Sequence, residues 1–353
     1  MVKIGKKKIG DGNPTYITFE IGPTHSGFKS CVKYIDSAYK AKADAIKIQM
    51  VNAERLISNK KQLFEFGYLT KNRKTIKRKE ESLFEILKRR ELSKEEILKL
   101  KKIAEKLDLD FFCTVFFEDD IDFVKEIGCD TIKIASADLN YIQLIKKAAK
   151  SNLSIQIDTG MSSLNEIYKA VKTIQLEKNN KIIIHHCPSG YPARINSIDL
   201  NIIKTLKKKF NFPIAFSDHY PGYDFDILAV ALGANLIEKT LTFDRTIPEV
   251  EHVMSIETKE TKSFVNKIRE TEKGLGRYNR KLNLSQKKKR DKIRRSAFYN
   301  TNLLKGTKLK LQNIEFKRPG LGIKPDEISK FIGKVLSKNV YSERCVSKKD
   351  FNI

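Results

Sequence analysis

The sequence predicts an α/β protein, a (β/α)8 TIM barrel followed by a small C-terminal domain. Eight short apolar runs alternate with longer amphipathic ones, and strand-then-helix alternation requires parallel strands joined by crossover helices. The runs are apolar nearly throughout, as expected for strands that are covered on both faces. The chain has 353 residues, which accommodates one barrel of roughly 250 residues and an appendage.

The predicted strands follow one another at the spacing of β/α units. They lie at residues 17–21, 44–49, 111–116, 131–135, 153–158, 181–187, 213–217 and 235–239. Two helices between them begin with a capping box, in which Ser93 precedes Glu96 and Ser163 precedes Glu166. These signals predict helices over residues 93–107 and 163–176.

The alternating pattern fades after Gly276, and the chain then changes character. Residues 277–295 are polar and strongly basic, which is typical of a linker. Residues 296–353 are rich in turn formers and contain one predicted short helix at 325–336. We therefore expect a barrel domain at 1–276, a basic linker at 277–295 and a small domain at 296–353.

Composition argues against several classes of partner. The net charge is +26, but the lysines are spread over the polar faces of predicted helices, so we expect solvated surfaces and no nucleic-acid partner. An apolar stretch of about 20 residues is absent from the sequence, and the basic N-terminus lacks the apolar core of a signal peptide. Five scattered cysteines without a CxxC pair indicate reduced thiols. We expect a cytoplasmic protein with no membrane partner.

Three lysines inside apolar strands are the most informative residues. Lys47, Lys133 and Lys239 each need an anion or a depressed pKa, because burial of an unpaired ammonium is expensive. A salt bridge to Glu20 or Glu238 would satisfy any one of them. Three lysines around one barrel mouth favour a bound anion that carries both a phosphate and a carboxylate. A Schiff-base lysine, as in aldolases, is the alternative enzymatic interpretation.

Histidines at strand ends are the other candidates. His219 follows a strand and is placed either for metal ligation or for acid–base chemistry. His185 and His186 are adjacent in one strand, so at most one of them faces the barrel interior.

Nine motifs in order resemble those of the N-acetylneuraminate (sialic acid) synthases. They are FEIGPTHSG (19–27), ADAIKIQ (43–49), FFCTVF (111–116), IKIASADL (132–139), DTGMSSLNEI (158–167), HHCPSGYPA (185–193), FSDHYPG (216–222), ALGANLIEK (231–239) and KRPGLGI (317–323). The last resembles the signature of the family's antifreeze-like (SAF, β-clip) domain. The resemblance covers nearly the whole chain.

The resemblance implies a reaction and a set of site residues. Phosphoenolpyruvate condenses with an open-chain N-acylhexosamine such as N-acetylmannosamine, and phosphate leaves by C–O cleavage. The residues implied to be catalytic are Glu20, Lys47, Lys133 and His219. Those implied to bind substrate are Ser136, Thr159, Ser189, Tyr191, Ser217, Asp218, Lys239, Glu251 and Arg318. The family is dimeric, so the resemblance implies a homodimer in which Arg318 reaches the partner subunit's active site.

The expected metal site departs from the family pattern. The family holds a divalent ion, Mn or Mg, with two histidines; one matches His219, but Thr240 occupies the position of the second. Glu238 or His252 could complete the site instead. The remaining alternatives are a metal-free enzyme and a non-catalytic sugar-binding relative. The sequence does not choose among sialic, legionaminic and pseudaminic products.

Overall fold

A computed structural model describes residues 2–276 and 279–352. The chain divides into two compact units, residues 1–276 and 277–353. Within the described residues, no helix is long and apolar enough to cross a membrane.

The strands are numbered in chain order. They are β1 (Val2–Ile4), β2 (Lys7–Ile9), β3 (Tyr16–Glu20), β4 (Ala45–Gln49), β5 (Leu63–Leu69), β6 (Ile76–Ser82), β7 (Asp110–Val115), β8 (Thr131–Ile134), β9 (Ser154–Asp158), β10 (Ile182–His186), β11 (Ile214–Asp218), β12 (Leu236–Thr242), β13 (Ile256–Glu257), β14 (Ser296–Tyr299) and β15 (Ile314–Lys317).

The α-helices are numbered in the same way. They are α1 (Phe28–Ala41), α2 (Ala53–Leu56), α3 (Leu83–Lys88), α4 (Lys94–Lys106), α5 (Glu118–Glu126), α6 (Ile142–Lys150), α7 (Leu164–Leu176), α8 (Asn201–Lys209), α9 (Asp224–Ala231), α10 (Thr261–Leu275) and α11 (Leu284–Ile293). The capping boxes at Ser93 and Ser163 are formed, so the two helix starts predicted from them are confirmed.

Eight parallel strands close into a barrel, which confirms the predicted fold. The order is β3, β4, β7, β8, β9, β10, β11 and β12, and β12 pairs back onto β3 with Thr240 opposite Glu20. Each predicted strand corresponds to one of these, and the largest difference is that β12 continues to Thr242. Closure brings the C-terminal ends of all eight strands to one mouth, where the polar strand-end residues meet.

The opposite end of the barrel is closed by the hairpin β1–β2. Val2, Ile4 and Ile9 of this hairpin pack in one buried cluster with the lowest inward layer of the barrel. That layer consists of Tyr16, Ala45, Phe112, Ile183, Ala215 and Leu236. Because this end is filled with apolar side chains, the space left for a ligand lies at the C-terminal mouth.

An insertion between β4 and β7 was not predicted from the sequence. It contains α2, the antiparallel hairpin β5–β6 and α3, and the basic run 71–79 covers the hairpin turn and most of β6. The backbone N–H of Gly67 donates to the carbonyl of Tyr191 (2.7 Å), and Arg73 forms an ion pair with Glu257. The insertion is therefore fastened to the loops at the barrel mouth.

The second unit is built around the antiparallel pair β14–β15. Helix α11 lies within the segment that composition predicts to be a linker. The helix predicted at 325–336 is wrong: this stretch holds a short 3-10 turn, Ile328–Lys330, and otherwise irregular chain. Gly333 has φ 83, a left-handed conformation that ends helices, while Ile328, Phe331 and Leu336 are buried in the small core.

Candidate active site

The barrel mouth is lined by a layer of inward-facing polar side chains. Side chains alternate along each strand, so every second residue faces the interior. The layer contains Glu20, Lys47, Thr114, Lys133, Asp158, His185, Ser217 and Glu238, and each of them is buried. His185 belongs to this layer, whereas His186 contacts the carbonyl of Ile198 (2.7 Å) outside it, so the expectation that only one histidine faces inward is confirmed.

The ammonium groups of Lys47 and Lys133 converge on one carboxylate oxygen. Glu238 Oε1 lies 2.8 Å from Lys47 Nζ and 2.6 Å from Lys133 Nζ. Lys47 also contacts Glu20 (2.6 Å), and Lys133 contacts Asp158 (2.8 Å). The salt-bridge alternative is therefore what the structure contains. Three carboxylates balance the two ammonium groups here, and the binding of an anion by these lysines stays a prediction.

The shared carboxylates fix the charge state of the network. Burial alone would raise the pKa of Glu238, but the charges of Lys133 and Lys47 outweigh it and hold that pKa well below its usual range. Burial alone would lower the pKa of Lys47, but Glu20 and Glu238 outweigh it and raise that pKa. Lys47 therefore remains an ammonium ion. Burial raises the pKa of Glu20, although the charge of Lys47 opposes this shift.

Lys239 and Asp218 lie outside the pocket, which corrects their assignment to substrate binding. Both belong to the outward positions of β12 and β11, opposite each other in register. Lys239 Nζ forms an ion pair with Asp218, donates to the carbonyl of Tyr220 (2.7 Å) and lies 3.8 Å from Asp226. This lysine is thus satisfied in a fully buried cluster between strand and helix α9, because strand alternation points it away from Glu238.

A cavity of about 490 Å³ opens above the charged layer. Its wall includes seven of the predicted residues together with Asp158, Arg90 and an apolar group from the insertion. The seven are Glu20, Lys47, Ser136, Tyr191, His219, Glu238 and Glu251, and Thr240 lines the same space. Lys133 and Ser217 lie next to the cavity because both contact Glu238 in its wall, with Ser217 Oγ 3.1 Å from Glu238 Oε1. The structure therefore brings together most of the residues that the sequence singles out.

Two serine hydroxyls converge on Gly160 at one side of this space. A methyl group at Gly160 would lie 2.9 Å from Ser136 Oγ and 3.4 Å from Ser189 Oγ, so only glycine fits between them. Thr159 has a structural contact instead, because its hydroxyl donates to the carbonyl of His185 (2.7 Å). Ser136, Ser189 and Gly160 form a small hydroxyl-rich corner suited to phosphate oxygens.

The candidate metal ligands do not converge. His219 lines the pocket, its ring 3.9 Å from Cys187 Sγ, and burial lowers its pKa to about 4. Thr240 contacts Glu251 (3.3 Å), and His252 Nδ1 is bound to Thr242 (2.7 Å) away from the cavity. In residues 2–276 and 279–352, no three His, Cys, Asp or Glu side chains are arranged to hold one ion. The residues present do not fit the expected Mn or Mg site, and the assignment to His252 is wrong.

Glu251 occupies an unusual position at the cavity wall. Its backbone is left-handed, with φ 69, a conformation uncommon for a non-glycine residue. Burial, and then the neighbouring charge of Glu20, raises the pKa of Glu251 to about 8. This side chain can therefore be a hydrogen-bond donor near neutral pH.

Several site residues were not predicted. Asp158 is the last residue of β9 and faces the barrel interior, so strand alternation could have identified it. Arg90 and Phe64 reach the cavity from the insertion, and no periodic signal in the sequence marks them. Arg318 belongs to the second unit, immediately after β15, and its role stays a prediction.

The chain matches two protein families and resembles proteins of known structure. The NeuB family matches residues 34–280, and the SAF domain matches residues 294–352. The chain is 32% identical to the N,N'-diacetyllegionaminic acid synthase of Legionella pneumophila, over 95% of this chain and 94% of that protein. It is 30% identical to a pseudaminic acid synthase of Campylobacter jejuni, over 98% of this chain and 99% of that protein. The crystal structure of an N-acetylneuraminic acid synthetase from Leptospira borgpetersenii, in complex with citrate, superposes with a TM-score of 0.72 at 35% identity, over 82% of this chain and 94% of that one.

Proposed function

Because the chain belongs to the NeuB family and ends in a SAF domain, we propose that it condenses phosphoenolpyruvate with an open-chain N-acylhexosamine and releases phosphate. Family membership identifies the chain as an enzyme of the sialic acid synthase type. The two substrates and the mode of phosphate release are the proposal.

One observation carries the proposal: the Lys47 and Lys133 ammonium groups meet at one oxygen of Glu238. They are close enough to bind a single small anion. Such an anion would compete with Glu20 and Asp158 for these lysines, and charge-assisted contacts of this kind are the strong ones in a buried site. Phosphoenolpyruvate has a carboxylate for the lysines and a phosphate for the corner formed by Ser136, Ser189 and Gly160.

The proposed reaction assigns proton transfer to Glu20. The methylene carbon of phosphoenolpyruvate forms a bond to the aldehyde carbon of the sugar, and the aldehyde oxygen takes a proton. Water then adds to the carbon that bears the phosphate and returns one proton to Glu20, and the C–O bond to phosphate breaks as the remaining hydroxyl proton passes to the leaving phosphate and the ketone forms. Glu20 is suited to donate the first proton because burial raises its pKa. Tyr191, Glu251 and neutral His219 line the cavity where sugar hydroxyls would lie.

A divalent ion supplies no step in this proposal. The resemblance implies Mn or Mg, whose chemistry would be to polarise the aldehyde oxygen, but His219 is the one expected histidine at the cavity. We retain the implied homodimer, with Arg318 reaching the partner subunit's sugar, as part of the proposal.

The Schiff-base alternative is disfavoured by the charge state of Lys47. A lysine nucleophile needs a depressed pKa, whereas the carboxylates of Glu20 and Glu238 raise that of Lys47. Borohydride treatment in the presence of pyruvate should therefore trap no adduct on either Lys47 or Lys133.

A phosphate-release assay tests the proposed function. Phosphate should appear when phosphoenolpyruvate and an N-acylated hexosamine are both present, and omission of either should abolish it. If a broad sugar panel gives no phosphate, the proposal fails, and a non-catalytic sugar-binding relative becomes the better interpretation.

A further inference from the structure

The loop after β12 places Glu251 at the cavity wall on a backbone that needs support. Glu251 has the left-handed φ of 69, a conformation that costs free energy and persists only where the surrounding structure holds it. Its own contacts include a carbonyl that accepts from the Ser255 hydroxyl (2.8 Å) and a carboxyl oxygen 3.3 Å from Thr240. The position of Glu251 therefore depends on what holds the neighbouring residues of the loop.

The residues on both sides of Glu251 are anchored. After it in the chain, His252 Nδ1 lies 2.7 Å from Thr242 Oγ1 at the end of β12. Before it, Val250 is buried in one apolar cluster with Ile86 of α3. The loop is thus fastened on one side to a barrel strand and on the other side to the insertion.

Arg90 connects this loop to a second loop at the barrel mouth. It lies two residues after α3 and is 4% exposed. One terminal nitrogen of its guanidinium group forms an ion pair with Glu249, and the other donates to the carbonyl of His25 in the loop after β3. Because both contacts come from one rigid planar group, they fix the separation of the two loops.

The energetics of a buried ion pair indicate a geometric role for Arg90. The desolvation of buried charges offsets much of their attraction, so such a pair often contributes little net stability. The Nε–H of Arg90 also has no hydrogen-bond partner among the described residues, which adds to its cost. What Arg90 supplies in return is two directed contacts, one to Glu249 and one to the loop after β3.

We propose that Arg90 is a positioning residue, which acts through Glu249 to hold the side chain of Glu251 at the catalytic cavity. This inference rests on the proposed function, in which Glu251 lies beside the sugar hydroxyls. Since Arg90 follows the last helix of the insertion, the placement of Glu251 depends on how the insertion docks on the barrel.

A double-mutant cycle tests whether Arg90 acts through Glu251. Arg90→Met removes both directed contacts, and kcat/KM for the best sugar of the phosphate-release panel should fall at least tenfold, since a misplacement of about 1 Å can cost on the order of a hundredfold. Glu251→Ala removes the side chain that Arg90 positions. In that background, Arg90→Met should change kcat/KM by less than about twofold, because the two losses are not independent.

The loss should concern the sugar and not phosphoenolpyruvate. The KM for the sugar should rise in Arg90→Met, whereas the Kd for phosphoenolpyruvate should stay within about threefold of the wild type. The reason is that Lys47 and Lys133 keep their carboxylate partners in this variant.

Glu249→Gln addresses the same contact from its other end. The side chain of Glu249 is 29% exposed, and glutamine keeps its size, so this variant carries the test if melting shows that Arg90→Met is unfolded. Loss of the charge weakens one hydrogen bond, and kcat/KM should fall roughly fivefold. In the Glu251→Ala background this loss should also disappear.

Arg269→Met is the matched control. Arg269 also donates to a backbone carbonyl, that of Thr15 (2.6 Å), and to a carboxylate, that of Asp44 (3.0 Å). Thr15 and Asp44 precede β3 and β4, at the end of the barrel opposite the cavity. This variant should melt at a lower temperature than the wild type and keep kcat/KM within about twofold.

The outcomes separate this inference from the proposed function. An unchanged kcat/KM in folded Arg90→Met, or an equal loss with and without the Glu251 side chain, overturns the inference and leaves the synthase assignment intact. Absence of sugar-dependent phosphate release by the wild type contradicts the synthase itself, and the inference with it.

Discussion

Replacement of Lys133 by methionine tests whether the charged layer is both the structural and the binding centre of the barrel. Lys133 is 1% exposed and contacts Glu238 (2.6 Å) and Asp158 (2.8 Å). Loss of one partner of a buried ion pair costs about 3–5 kcal/mol. Glu238 keeps Lys47 as a partner (2.8 Å), so we expect a cost near the lower limit, about 3 kcal/mol.

The expected loss is large enough to measure by calorimetry. For a domain of the size of the barrel, about 1 kcal/mol corresponds to a shift of roughly 2 °C, so the melting transition of Lys133→Met should fall by roughly 6 °C at neutral pH. A hydrogen bond to a charged group contributes about 1.5–3 kcal/mol, so the Kd for phosphoenolpyruvate should rise at least tenfold in titration calorimetry.

Lys239→Met is the matched control, because Lys239 is equally buried but faces away from the cavity. It should lower the melting temperature by a similar amount and leave the Kd for phosphoenolpyruvate within about threefold. If Lys133→Met melts within about 1 °C of the wild type and binds phosphoenolpyruvate equally well, the reasoning is refuted.

The difference in stability between the wild type and Lys133→Met should depend on pH in one direction. The folded-state pKa of Glu238 lies below its ordinary value of 4.5, so the pairing of Glu238 stabilises the protein above that pH, and this stabilisation is lost on acidification below it. The stability gap between wild type and Lys133→Met should therefore be full at pH 7 and narrow as the pH falls below about 4.5.

Three further predictions concern the rest of the cavity. Glu251, whose pKa is raised to about 8, binds its proton more tightly in the folded protein, so the free energy of unfolding of the wild type should fall between about pH 5 and 8. In chemical denaturation, the stability of Glu251→Gln relative to the wild type should therefore rise over that pH range, and an unchanged difference would contradict this. Gly67→Ala places a methyl group 2.7 Å from Pro192, and limited proteolysis should then cut the insertion faster than in the wild type, while unchanged cleavage would refute the close fit. Thr240→His restores the second histidine of the family pattern, which this chain lacks beside His219, so calorimetry should detect Mn²⁺ binding at least tenfold tighter than to the wild type. Equal Mn²⁺ affinity of variant and wild type would show that the loss of histidine at position 240 does not limit metal binding.

The barrel could be predicted from the sequence because each of its signals is local. Apolar runs, capping boxes at Ser93 and Ser163, and polar residues at strand ends are readable over ten residues or fewer. Closure then follows from eight β/α units, and it brings Glu20, Lys47, Lys133 and Glu238 to one mouth as predicted.

The failures concern interactions between distant segments. In the sequence, Lys239 resembles Lys47 because both lie inside an apolar strand. Strand alternation, however, points the side chain of Lys239 outward, toward Asp218 and α9. Strand β6 is polar and basic, whereas Phe64 and Phe66 of β5 pack with Ile86 and Val250, and these contacts depend on distant segments. Arg90 and Glu249 pair across 159 residues, which no local spacing reveals. The stretch 325–336, wrongly predicted as a helix, is largely irregular chain whose side chains Ile328, Phe331 and Leu336 fill the small core.

The fate of the oxygen that bridges carbon and phosphorus in phosphoenolpyruvate shows whether the enzyme cleaves the C–O bond, as the proposed reaction requires. Phosphoenolpyruvate labelled with a heavy oxygen isotope at this position is incubated with the enzyme and its preferred sugar, and both products are analysed by mass spectrometry. C–O cleavage predicts that the label leaves with inorganic phosphate. Label retained in the keto acid, or no sugar-dependent phosphate at all, would contradict the account.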